Sequence, residues 1–187
     1  MKHLSQKIKG GKILLAEPFM LDPYFKRAAV LMCEHRNDGS FGFILNKRLN
    51  INITDLVKDF PDFESEVYYG GPVENETLHF LHCLGDLIEG SSPVAPGIWW
   101  GGRYESVKFL IETRLIEPQH VRFFVGYSGW SKDQLEEESA EGSWLVADSH
   151  PNYIFKTSPE QLWKTMMEEL GDHFSAIASI PEKVILN

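Results

Sequence analysis

The chain is poor in the residues and runs that mark specialised protein classes. It has only two cysteines in 187 residues, too few for a disulfide framework. Cys33 and Cys83 lie in apolar, strand-like runs, so both are read as buried thiols in a reducing compartment. No apolar stretch is longer than Ala28 to Cys33, far short of the roughly 18 residues that a membrane span needs. The start, Met1-Lys2-His3-Leu4-Ser5-Gln6-Lys7, is basic but leads into no apolar segment with a small-residue cleavage site, so a cytoplasmic protein is expected. Positive charge is scarce, with 18 Lys and Arg against 27 Asp and Glu and a net charge of -9. Phosphate backbones reward clustered cations, and Lys7, Lys9, Lys12, Lys26, Arg27, Lys47 and Arg48 are scattered among acids, which argues against direct nucleic-acid binding.

What is present is ordinary globular material, 43% hydrophobic and 24% charged. A chain of this size buries roughly 70% of its unfolded surface around one core. Without a repeat, a linker or a low-complexity tract, residues 1–187 read as a single domain. Lys12 to Ala16 reads as a strand and Glu17 to Pro23 as a loop. Ala28 to His35 reads as a central strand, since both of its faces are apolar. The turn residues Arg36 to Ser40 return it as a hairpin through Phe41 to Asn46. Further strands are expected at Glu66 to Tyr69, Leu78 to Leu84, Ile98 to Trp100, Val121 to Val125, Ser143 to Asp148 and Tyr153 to Phe155. Helices are expected around Thr54 to Phe60, over Tyr104 to Arg114, after a capping box at Ser131 to Gln134, and from Ser158 to a stop at Gly171. Strands and helices interleave without a strict βαβ rhythm, so the sheet should be mixed rather than all-parallel.

Several segments invite a chemical reading. Gly126-Tyr127-Ser128-Gly129-Trp130 sits where a nucleophile elbow would place a serine, but Trp130 occupies the second glycine position, and the simpler reading is a glycine turn. Asp148 and His150 follow in triad order, an arrangement that chance readily supplies. Glu34 and His35 are adjacent on a strand and face opposite ways, so each needs another partner. Cys33, His35, His79, His82 and Cys83 are metal-type donors whose spacing matches no zinc signature, and His79 and His82 face opposite sides; no metal and no cofactor are expected. Gly70-Gly71-Pro72-Val73 and Gly101-Gly102 read as turns without phosphate-loop spacing.

Taken in order, Leu14-Leu15-Ala16-Glu17-Pro18, Glu34-His35 with Gly42 and Asn46, Gly70-Gly71-Pro72-Val73 with Leu81-His82, and Gly126 to Trp130 with Gln134-Leu135-Glu136 resemble the YqgE/AlgH family of bacterial proteins. Ser143-Trp144-Leu145, Phe155 and Trp163 extend the resemblance over nearly the whole chain. It implies a mixed α/β (α+β) fold with a largely antiparallel, barrel-like sheet flanked by helices, in the bacterial cytosol. Some members carry the label of transcriptional regulator, but no catalytic residue or cofactor comes with the family. Two departures stand out: Ser128 where the family often has alanine, and a tail, Ile180 to Asn187, unlike the usual glycine- and alanine-rich ending. The Trp99-Trp100-Gly101-Gly102 stretch resembles a sub-branch.

The expectation is a non-enzymatic regulatory or binding protein for a small molecule or a protein partner, with a site drawn from Glu34, His35, Asn46, His82, Tyr127, Trp130, Gln134 and Glu138. The alternatives are an enzyme using His35 or His82 as general acid/base beside Glu34 or Glu138, and a direct DNA-binding regulator, which the acidic charge disfavours. With no long heptads and no apolar stripe, a monomer is expected.

Overall fold

The computed structural model describes residues 7–181. The reading of Met1 to Gln6 as no leader, and that of the tail beyond Pro181, fall outside the described residues. The chain forms β1 (Lys12–Ala16), β2 (Ala29–Arg36), β3 (Gly39–Ile44), β4 (Arg48–Asn52), α1 (Ile53–Leu56), β5 (Glu66–Tyr69), β6 (Val73–His82), β7 (Ser92–Ala95), β8 (Ile98–Trp100) and α2 (Tyr104–Glu112). There follow β9 (Val121–Ser131), α3 (Gln134–Ala140), β10 (Trp144–Asp148), α4 (Pro151–Phe155), α5 (Pro159–Glu169) and α6 (Asp172–Ala178), with short 3-10 turns at Gly85–Leu87 and Pro118–His120.

The strands join in one strongly curled half-barrel sheet, ordered β10-β1-β2-β3-β9-β6-β8-β7, with β5 on β9 and β4 on β5. Every pairing is antiparallel except β5 with β9. The expected antiparallel, barrel-like α/β fold is the one found. As its two apolar faces imply, β2 is internal: Ala29, Leu31 and Cys33 join the cluster under α4, α5 and α6, while Val30 and Met32 face Leu135 of α3 on the other side. The spacing of Leu162, Trp163, Met166 and Met167 puts one stripe of α5 on the first cluster, and the Trp163 indole donates to the Ala16 carbonyl at 3.0 Å. A third cluster seats Val107, Leu110 and Ile111 of α2 against Phe80, Val121 and Phe123. Each such side chain, fully buried, contributes about 1.5–3 kcal/mol.

Strand β9 organises the sheet. Its first half pairs with β5 (Val67 opposite Phe123, Tyr69 opposite Val125) and its second half with β3 (Gly39 opposite Ser131, Gly42 opposite Ser128). The change of partner falls at Gly126, which has φ of +66°. A Cβ on Gly70 would lie 2.2 Å from the Gly126 carbonyl oxygen, and one on Gly71 would lie 2.3 Å from the Tyr127 carbonyl. These glycines let two backbones cross at a distance that no side chain permits.

Several expectations are corrected. The segment Gly126 to Trp130 is strand rather than turn, because the bend at Gly126 changes the pairing without ending it. Tyr153 to Phe155 is helical, started by Pro151 and by His150, whose Nδ1 accepts from the Asn152 N–H at 3.1 Å. The Ser131 to Gln134 box is half present: Gln134 Oε1 accepts from the Ser131 N–H at 3.0 Å, but Ser131 ends β9 and α3 begins only at Gln134. The helix expected over Thr54 to Phe60 is the four-residue α1, and Cys83 is exposed rather than buried. Beyond Gly171 the chain turns helical again as α6.

Candidate functional site

The eight residues singled out from the sequence are placed in several environments. Asn46 ties two strands: its Oδ1 accepts from the Ala29 N–H and its Nδ2 donates to the Arg27 carbonyl, both at 2.9 Å. His82 is fully buried, 0% exposed. Its Nδ1 accepts from the Leu84 N–H at 3.3 Å and its Nε2 donates to the Gly101 carbonyl at 3.1 Å, a pattern that only the neutral ring satisfies. Burial holds the pKa of His82 below the ordinary value of 6.5, against the Gly101 bond.

On the α3 side of the sheet, Glu138 Oε2 accepts from the indoles of Trp130 and Trp144 at 2.9 and 2.8 Å, and Oε1 accepts from Gln134 Nε2 at 2.9 Å. His35 faces the same helix, with Nδ1 2.7 Å from Ser40 Oγ and Nε2 3.3 Å from Glu136. Its polar contacts thus go to Ser40 and Glu136, not to Glu34 or Glu138. These groups fasten α3 to the sheet. Ser128 is fully buried and donates to the Gly70 carbonyl at 3.0 Å, so it faces no substrate as a nucleophile. Among the described residues, no three His, Cys, Asp or Glu side chains converge as a metal site.

Glu34 and Tyr127 are brought elsewhere, into a cavity of about 620 Å³ where the β2–β3 hairpin meets β6, β8 and β9. Two breaks in strand alternation aim them there. Met32 pairs with Gly42 and Glu34 with Phe41, leaving Cys33 as an extra bulged residue, so that Glu34 shares the face of Cys33 and Phe41. Gly126 does the same on β9 and puts Tyr127 on the face of Phe124. Trp130 borders the cavity, while its ring packs with Trp144 and Phe25 in the α3 cluster.

Sequence reasoning missed the rest of the lining: Arg36, Asp38, Ser40, Phe41, Val73, His79, Trp100 and Gly129, with Gly39 at the hairpin end. Phe41 lies 4.8 Å from Trp100 at 62° and 6.0 Å from Tyr127 at 79° (ring centroids), and His79 lies 5.9 Å from Tyr127 at 84°. A Cβ on Gly129 would meet the Tyr127 ring at 3.3 Å and a Val73 methyl at 3.4 Å, so glycine leaves room there for the ring. At the rim Arg36 pairs with Glu34 at 2.8 Å. His79 Nε2 is 2.8 Å from Thr77 Oγ1. Burial lowers the His79 pKa, opposed by Glu74; burial raises that of Tyr127, assisted by the charge of Glu74 and a hydrogen bond to it. No local motif announces this lining, because it comes from five strands spread over about a hundred residues.

A smaller cavity of about 200 Å³ lies beside Tyr68, whose ring has Arg122 4.4 Å away and Arg48 6.0 Å away. Its guanidiniums are engaged: Arg48 pairs with Glu66 and with Glu160, the latter at 2.8 Å, and Arg122 donates to the Leu45 carbonyl at 3.2 Å. It reads as a fastening between the sheet and α5.

Comparison with known proteins agrees with this architecture. A family model described as AlgH-like (DUF179) matches residues 13–175. A UPF0301 protein of Chlorobaculum tepidum is 43% identical over 175 residues, covering 94% of both chains. One from Chlorobium phaeobacteroides is 41% identical over 182 residues, covering 97% of both. Among solved structures, a protein of Corynebacterium diphtheriae aligns with TM-score 0.80 at 18% identity over 94% of both chains. The AlgH protein of Pseudomonas aeruginosa aligns with TM-score 0.71 at 24% identity, over 96% of this chain and 95% of that one. At such identities the structural likeness establishes the fold.

Proposed function

The chain belongs to the AlgH-like family, and from that premise we propose that it is a non-enzymatic cytoplasmic binding protein, with a regulatory role, whose ligand is a small molecule held in the cavity between the β2–β3 hairpin and strands β6, β8 and β9. The observation that carries this reading is the cavity itself. It has the volume of a metabolite site, about 620 Å³, and is lined by the rings of Phe41, Trp100 and Tyr127 together with a few polar groups, Glu34, Arg36, Asp38 and His79. The hydrogen-bonding groups of His82, Asn46 and Glu138 are spent on the fold, which leaves the general acid/base alternative without its pairs. A regulatory effect would be exerted indirectly, through the ligand or a protein partner, since a net charge of -9 opposes approach to a phosphate backbone.

The test is a metabolite library screened by thermal shift and by amide chemical shifts, on the wild type and on Gly129→Ala. A true ligand raises the melting temperature, moves the Gly129 and Trp100 signals, and binds the variant more weakly. A library that leaves those signals unmoved while binding elsewhere would refute the assignment of the cavity.

A further inference from the structure

We infer that the ligand of this cavity presents a compact positive charge, an alkylated ammonium group seated in the corner lined by Phe41, Trp100 and Tyr127; the inference rests on the reading of the cavity as a ligand site. Shape is the first ground. Phe41 packs edge to face with Trp100 at 62° and with Tyr127 at 79°, so the three rings form an angled corner rather than a parallel-walled slot. Steeply set walls fit a rounded group such as a methylated nitrogen, and their π faces carry the negative end of the ring quadrupole.

Charge is the second ground. The lining holds two carboxylates, Glu34 and Asp38, and one cation, Arg36, which Glu34 already engages at 2.8 Å. Glu74 adds a third carboxylate at the Tyr127 hydroxyl. His79, the remaining titratable group on the wall, is kept towards its neutral form by burial and so adds no opposing charge near neutral pH. With Glu34 paired to Arg36, Asp38 leaves the lining a net negative charge, which opposes an anionic ligand and complements an ammonium group.

The experiment is a pair of titrations of the full chain, with choline and with dimethylbutanol, in which a quaternary carbon replaces the nitrogen. Both are followed by Trp fluorescence and by the Trp100 indole and Gly129 amide resonances. The expected result is choline binding at those signals at least about fivefold tighter than the alcohol, with the preference lost in Glu34→Gln/Asp38→Asn while the alcohol is unaffected. Both surface substitutions leave the core untouched, so the variant reports on charge rather than folding. Equal binding of the two probes would overturn the cationic assignment and leave the cavity a binding site. No response to either would also overturn it, and the metabolite screen then decides the cavity separately.

Discussion

Trp130 and Trp144 donate their indole N–H groups to the same oxygen, Oε2 of Glu138, with their rings 5.9 Å apart and at 81°. Both tryptophans are only 5% exposed, so neither N–H has water as a ready substitute. Glu138→Ala leaves two buried donors unpaired and is expected to cost about 3 kcal/mol of unfolding free energy. Urea denaturation measures it, and the two indole proton resonances should shift together. A cost near zero would show that the carboxylate contributes no net stability.

The crossing at Gly126 makes a second prediction, by contrast. Gly70→Ala places a Cβ 2.2 Å from a backbone oxygen that cannot move aside, and should abolish the native fold or cost more than about 4 kcal/mol. Gly142→Ala meets nothing within 4 Å and carries only the penalty of its φ of +85°, about 1–2 kcal/mol. Melting temperatures of the two variants give the comparison.

Acid should destabilise the protein from a defined point. Burial depresses the folded-state pKa of His79 and of His82 below the ordinary 6.5. The unfolded chain therefore takes up protons first, so this stabilisation is complete above about 6.5 and is lost as pH falls towards the folded-state values. For His82 a second proton would also turn Nδ1 against the Leu84 N–H that it now accepts. The midpoint of urea unfolding should drop between pH 7.5 and 5.5, and less steeply in His82→Asn after allowing for its lower overall stability.

The thiols should separate by reagent access. Cys83 is exposed and Cys33 is buried, with burial pushing the Cys33 thiol up out of the reactive range. Iodoacetamide on native protein is expected to modify Cys83 alone, slowly since partial burial raises its pKa as well, and to reach Cys33 only after denaturation. Peptide mass mapping distinguishes the two sites.

These predictions also mark where the sequence was legible. The two-sided apolar pattern of β2, the β2–β3 hairpin and the stripe of α5 could be read directly, because periodicity reports burial. Tyr153 to Phe155 misled because aromatic and β-branched residues in a short run favour a strand, while the opposing signal, Pro151 at the first helical position, lies just upstream. Gly126 misled because glycine within an apolar run ordinarily ends a strand, and here it answers a crossing with Gly70 and Gly71, distant in the chain. Glu34 and Tyr127 stood out among the candidates, but their common destination depends on a parity change at Cys33 and another at Gly126. Phe41, Trp100 and His79 carry no local mark of a shared cavity, since a ring that lines a cavity and a ring that fills a core look alike in one dimension.

The central place of β9 bears on how the chain comes to be folded. Its partners, β3, β5 and β6, are all made earlier, yet each waits for residues 121–131 to complete its hydrogen bonding. During synthesis some two thirds of the polypeptide therefore emerges with open strand edges and no hub to close them, a condition that invites association between nascent chains. Sheet formation must then pay loop-closure entropy at several sites at once, so folding should be slow, set by docking of a single strand, and during synthesis sensitive to chaperones until that strand clears the ribosome.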